Sequence, residues 1–347
     1  MRRIVNHWLT SAAYIVLIVA GGQKLVQASD EDALRHRFAE EAPSGWNRFK
    51  MLMLKAKGHI TYHDRIVNAD DDSKSSKPRQ RRVSFAIAGD GRRLAIADQN
   101  DRETIFVGCR NLKYAFKLMG STLHENVFKI LDVRAGAPMS DAETQDPVDA
   151  QFFVLVRPVL YAPFALLQFE ADKLVADSSF ECKSIHRIGE GEDSTVEVAF
   201  SCRDPYDDTN EWLSDIHMEL VPQNGWAIEK YLAVNKKKHA AISVNIEYGD
   251  TIGDSGLRMP VKVVARNAPV DFEPARAKEY EEQVFQLDDI EFVDVDDKEF
   301  TLSAFNRPEP GKSVALGGNK WVLVGINVGI ILLIVGFYLF RRARVAA

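Results

Sequence analysis

Apolar residues recur at helical spacing near the start of the chain and at every second position over much of the remainder. Leu34 and Phe38 lie four apart, and Trp46, Phe49 and Met53 continue an apolar stripe to about Lys55. Ser29 and Asp30 supply a cap, and Pro43-Ser44-Gly45 predicts a break between two helices. The period then falls to two. GHITYHDRIV reads as a strand, Val83, Phe85 and Ile87 as a second, and Leu94 and Ile96 as a third beyond an Asp90-Gly91 turn. ETIFVGC and NVFKILDV add two short strands, and KPRQRR at 77–82 reads as a charged surface loop.

Val148–Phe169, VDAQFFVLVRPVLYAPFALLQF, is strongly apolar but holds Arg157, Pro158 and Pro163. Charge and prolines exclude a membrane span, so the segment predicts two short apolar helices that cover something, or a buried crossing of the core. Beyond Phe180 the alternation is clearest. Ile216, Met218 and Leu220 lead to an Asn224-Gly225 turn, and Trp226, Ile228, Leu232 and Val234 follow on one face. Ile242, Val244 and Ile246, then Leu257, Met259, Val261 and Val263, complete an antiparallel meander with one apolar face. Helices from the start and middle must cover that face. The predicted fold is α+β: a curved antiparallel sheet, a half-open barrel, with helices on its concave face. Glu273–Gln283 reads as a short charged helix or loop ahead of the last strand.

GWAIEKYLAVNKKKHAAISVNIEYGDTIGDSGLRMPVKVVARN (225–267) resembles the back half of LolA-like periplasmic lipoprotein-carrier domains. The matching positions are Trp226–Val234, Lys236–Lys238, Ile242–Tyr248 and Met259-Pro260. The resemblance implies a half-barrel with an apolar, helix-lidded interior that accepts acyl chains.

The termini carry their own patterns. Arg2 and Arg3 precede an apolar stretch from Trp8 to Gly22, and Val26-Gln27-Ala28 has small residues where signal peptidase cuts. Trp321–Phe340 lacks charge and is followed by Arg341, Arg342 and Arg344, the pattern of a helix about 30 Å long ending in the cytoplasm. The expected organisation is a signal peptide over 1–28, an exported domain over 29–305, a linker over 306–320, one C-terminal transmembrane helix over 321–340 and a cytoplasmic tail over 341–347. EFTLSAFNRPEP ahead of that helix resembles the ending of an uncharacterised group of bacterial cell-envelope proteins. These features predict a single-pass membrane protein whose large domain is exported.

Net charge is −6 with the basic residues scattered, which argues against nucleic acid as a partner. No spacing of His, Cys, Asp and Glu supports a metal, and no motif calls for a cofactor. His59, His63 and Asp64 read as surface decoration. Cys182 and Cys202 flank a predicted hairpin whose parity sets them opposite each other, which suits a disulfide. Two buried thiols, or a metal site with His186, are the alternatives, and Cys109 reads as a small buried residue. GDSG at 253–256 copies part of a serine-protease signature, but Leu257 departs from it and these residue types also build turns. The functional expectation is a non-enzymatic envelope protein that holds a lipid, another apolar ligand or an envelope partner. Its binding face is expected to involve Phe164, Leu167, Trp226, Ile228 and Val244, with Phe152, Phe153, Leu155 and Leu160 also turned inward. Lys230 would meet a headgroup unless a bulge turns it outward. The competing expectations are a scaffold with a filled core and an anchored hydrolase built on Ser255.

Overall fold

The computed structural model describes residues 30–98, 104–121, 127–135, 151–152, 154–166, 169–191, 194–203, 213–235, 240–269 and 278–310. The first element is a helix, α1, over 30–53. Leu34, Phe38, Ala42, Trp46, Phe49 and Met53 are all buried along one stripe of it, at spacings of three and four. The expected break at Pro43 does not occur. Apolar residues continue in phase on both sides of it, and tertiary burial outweighs the local cost of the proline.

Six strands follow: β1 (Lys55–Asn68), β2 (Arg79–Ala88), β3 (Gly91–Asp98), β4 (Thr104–Arg110), β5 (Tyr114–Ser121) and β6 (Phe128–Ala135). β2 begins inside the basic run expected to be a loop. A cover segment comes next, with α2 (Arg157–Leu160), β7 (Ala165–Leu166), β8 (Phe169–Glu170) and α3 (Ala171–Ala176). β7 and β8 form a two-stranded hairpin where a second helix was expected. A second meander then runs through β9 (Glu181–Ile188), β10 (Thr195–Cys202), β11 (Leu213–Val221), β12 (Ala227–Asn235), β13 (Ala240–Thr251), β14 (Arg258–Pro269) and β15 (Glu279–Glu291). Residues 279–283, expected in a charged helix or loop, belong to β15.

All thirteen strands of the two meanders form one sheet, ordered β6-β5-β4-β3-β2-β1-β15-β14-β13-β12-β11-β10-β9. The antiparallel pair β1–β15 joins them, from Thr61↔Gln286 to Asn68↔Glu279. The main apolar core gathers α1, the cover segment and the facing side chains of β1–β3 and β9–β15, and a smaller cluster of Ala86, Val295 and Phe300 lies apart from it.

α1 is docked by aromatic and backbone contacts. Trp46 Nε1 donates to Trp226 O at 2.7 Å, and Trp226 Nε1 donates to Glu41 Oε2 at 3.1 Å. Phe38 meets both indoles edge-on, at 6.0 and 5.9 Å. Gly45 approaches the turn before β12 so closely that a Cβ there would lie 2.1 Å from Gly225 O.

Four expectations about membrane and location are corrected. Among the described residues no helix is long and apolar enough to cross a membrane. The long described helix, α1, is charged along its exposed side, with Asp30, Asp32, Arg37 and Glu40 facing solvent. Among the described residues the fold class therefore has no transmembrane helix, and the single-pass description, the membrane as a partner and the anchored orientation are left without the helix they rested on. Trp321–Phe340, like the expected signal peptide over 1–28, lies outside the described residues. The fold is a large antiparallel sheet with limited helix. The chain divides into compact units at Phe300/Thr301. In the second, the described residues form a short 3-10 turn, Leu302–Phe305, ending at Asn306 in the left-handed region.

Candidate functional site

A cavity of about 290 Å³ lies between the cover segment and the inner face of β12–β15. Val154, Pro158, Tyr161, Ala162 and Ala165 contribute from the cover. The sheet side is graded along the strands. In the deepest cross-strand row, Ile246, Val263, Phe285 and Tyr62 are all buried. The middle row sets Tyr231 opposite Val244, Val244 opposite Ala265, Ala265 opposite Gln283, and Gln283 opposite Asp64. The outermost row runs Ile242, Asn267 and Glu281, of which Asn267 and Glu281 are exposed. Small Ala265 occupies the centre of the middle row, so the cover cannot close onto the sheet there. The result is an apolar floor that becomes polar towards solvent.

Charge enters from the cover. Arg157 lines the cavity with its guanidinium 4.9 Å from the Tyr161 ring and Nη2 3.9 Å from Glu170 Oε1. Glu170 also bonds Lys50 of α1 and lies 3.5 Å from Lys173. Burial pushes the Glu170 carboxyl up, but the hydrogen bond and charge of Lys50, with Lys173 and Arg157, outweigh it and hold the group below the usual carboxylate range. On the sheet side, Glu281 Oε1 accepts from Gln283 Nε2 at 2.9 Å. Burial, reinforced by Asp64 and Glu281, pushes the Tyr62 hydroxyl up to about 12. Asp64 Oδ1 is buried with no hydrogen-bond partner. Arg266 borders the cavity, but its guanidinium bonds Glu282, which also accepts from Arg65, so a three-strand ion row fastens β1, β15 and β14.

Of the residues expected to bind, Val244 lines the cavity. Phe164, Trp226 and Ile228 are buried in the core instead. Phe152, Leu155 and Leu160 are also buried, while Phe153 and Leu167 lie outside the residues whose placement is described. Trp226 is committed to α1. Ile228 N donates to Pro163 O, and Ile228 O accepts from the Tyr248 hydroxyl. A bulge explains both Ile228 and Lys230. The pairing runs Glu219↔Lys230 and then Leu220↔Ile228, leaving Glu229 as the extra residue. Inward positions switch from Trp226 and Ile228 to Tyr231 and Ala233, and Lys230 points outward to Glu219 at 2.6 Å.

Cys182 stands opposite Phe200, and Cys202 opposite Leu213 on the far neighbour. A register shift between Ala199 and Phe200 makes the two cysteines diagonal rather than opposite. No disulfide joins them, and all three cysteines are thiols. Burial pushes the Cys109 thiol well up. His186 reaches Glu197 at 3.0 Å rather than joining the cysteines, and the described residues hold no metal-binding group of three. His59 and His63 face away from Asp64 by strand alternation. In the GDSG turn, Ser255 Oγ donates to Ile252 O at 2.6 Å and accepts from Leu257 N at 3.1 Å, so its hydroxyl serves the turn.

Sequence reasoning missed Arg157, Tyr161, Val263, Ala265 and Phe285. One signal was present for Arg157: a lone charge inside an otherwise apolar segment marks where that segment meets a polar opening. A scan against protein-family models finds no match. A search of curated proteins also finds none. Among solved structures the chain is similar to a DUF1329 family protein from Desulfovibrio piger, with 9% sequence identity, a TM-score of 0.39, and coverage of 76% of this chain and 99% of that one. A likeness of that degree carries neither a ligand nor an activity to this chain.

Proposed function

We propose that the chain is a non-enzymatic binding protein that holds one small apolar ligand, of the acyl-chain class, between the cover segment and β12–β15. The cavity itself supports the reading: a space of about 290 Å³ with an apolar floor and a polar outer row. Small-molecule pockets of this character run from about 300 to 1,000 Å³, which places this one at the small end. It suits a single short chain better than the several chains of a lipidated protein. The likeness of Trp226–Asn267 to LolA-like carriers is in keeping with an acyl ligand, and the cavity size sets a narrower limit than that likeness implies. The cover lies outside the strand ladder and bonds the sheet's backbone at Ile228 N–Pro163 O, so a ligand can enter beside it without breaking strand pairing.

The neutral apolar fluorophore N-phenyl-1-naphthylamine tests this. The purified chain should bind it saturably at one site, and decanol should displace it. Ala265→Phe projects a ring into the cavity and should abolish binding without lowering the melting temperature. Failure of the parent to bind, or undiminished binding by the variant, favours the scaffold reading with a filled core.

A further inference from the structure

We propose that the ligand's head is an anion, a carboxylate or a group of similar charge and shape, received by Arg157. The inference rests on the cavity as the binding site and adds the chemistry of the end that faces solvent. Arg157 is set in the cavity wall, and its side chain is only 22% exposed. A charge so placed acts through little water and is felt strongly by a ligand. Its planar guanidinium packs against Tyr161, which fixes the fork for two-point contact with a carboxylate.

Two features of the surroundings bear on the sign of the head. Around Glu170 the cover and α1 place three cations, Lys50, Arg157 and Lys173, with Asp172 as a further acid beside Lys50. The cover side is therefore net positive. The sheet side holds the opposing carboxylates, Glu281 in the outer row and Asp64 beyond Gln283. Glu281 is exposed and already accepts from Gln283, so water and that bond screen it more than they screen Arg157. Arg266 adds a cation at the border, matched by Glu282. Of the charged side chains that line the cavity, Arg157 is thus the most buried, while Asp64, with its buried Oδ1, stands one strand beyond the lining residue Gln283. With the head at Arg157, a chain extending inward would lie along Val244, Ala265, Val263 and Phe285.

Displacement of N-phenyl-1-naphthylamine by decanoate, decanol and decyltrimethylammonium at one ionic strength decides the matter on the unmodified chain. Decanoate should displace at about tenfold lower concentration than decanol, the worth of one charge-assisted contact, and the cation should be the weakest. Arg157→Gln should weaken decanoate far more than decanol and so bring the two to the same level. Arg157→Lys should fall between, and Glu281→Gln should improve decanoate alone. Equal displacement by decanoate and decanol, or preference for the cation, overturns the anionic head while the apolar site stands. Displacement by none of the three overturns both readings.

Discussion

Glu170 is the most heavily used carboxylate near the site, gathering Lys50, Lys173 and Arg157 from three separate elements. Its side chain is 11% exposed, so removing its charge strands cations in a poorly hydrated place. Glu170→Gln should cost ~2 kcal/mol at neutral pH, less than a fully buried pair because Lys50 keeps contact with water. The pH dependence follows from the lowered carboxyl. The stabilisation is complete above the pKa of an unfolded glutamate, about 4.3, and is lost as pH falls through the lower folded value. Urea midpoints at pH 7 and at acid pH check this. Parent and variant should differ clearly at pH 7 and converge in acid, whereas coincident midpoints at pH 7 would deny Glu170 its role. Lys230–Glu219 is a contrasting case: half exposed on the lysine side, it contributes little, and the lysine expected to greet a ligand faces away from it.

At the scale of elements, α1 and the turn before β12 are fitted backbone to backbone. Glycine to alanine inside a helix ordinarily stabilises by up to about 1 kcal/mol, but at Gly45 the new Cβ would collide with a carbonyl rather than a yielding side chain. Gly45→Ala should therefore destabilise by roughly 3 kcal/mol, the upper end for overpacking. Ser44→Ala, exposed on the same turn of helix, should be near neutral, and comparison of their denaturation midpoints separates the two effects. This region also shows what was legible beforehand. The stripe from Leu34 to Met53 and the alternation in β11 and β13 could be read because single-period patterns report which side is buried, whereas Val261 of β14, read on the same face as Met259 and Val263, is exposed. The bulge at Glu229 could not, since the run Trp226, Ile228, Leu232, Val234 looks continuous while the inward face passes to Tyr231 and Ala233. Pro43-Ser44-Gly45 misled for a related reason: the glycine permits a close approach between elements far apart in sequence, which local preference does not encode. β15 was obscured by its charge, because Glu282 is buried only through Arg65 and Arg266 on two other strands.

For the molecule as a whole, the described residues up to Phe300 form one compact unit in which two meanders meet at β1–β15. α1 and the cover pack on the sheet in the core, and above Ala265 they leave the cavity of about 290 Å³. Function by ligand capture requires that this space, rather than an exposed apolar position such as Ile130 or Val133 on β6, receive the ligand. Methyl-labelled NMR distinguishes the two directly. Titration with decanol should move the methyl signals of Val244, Val263 and Ile242 in a saturable manner, with Ile228 and Val198 in the packed core left nearly in place. Saturable shifts confined to Ile130 and Val133, or no saturable shifts, would contradict the assignment of the cavity as the binding site.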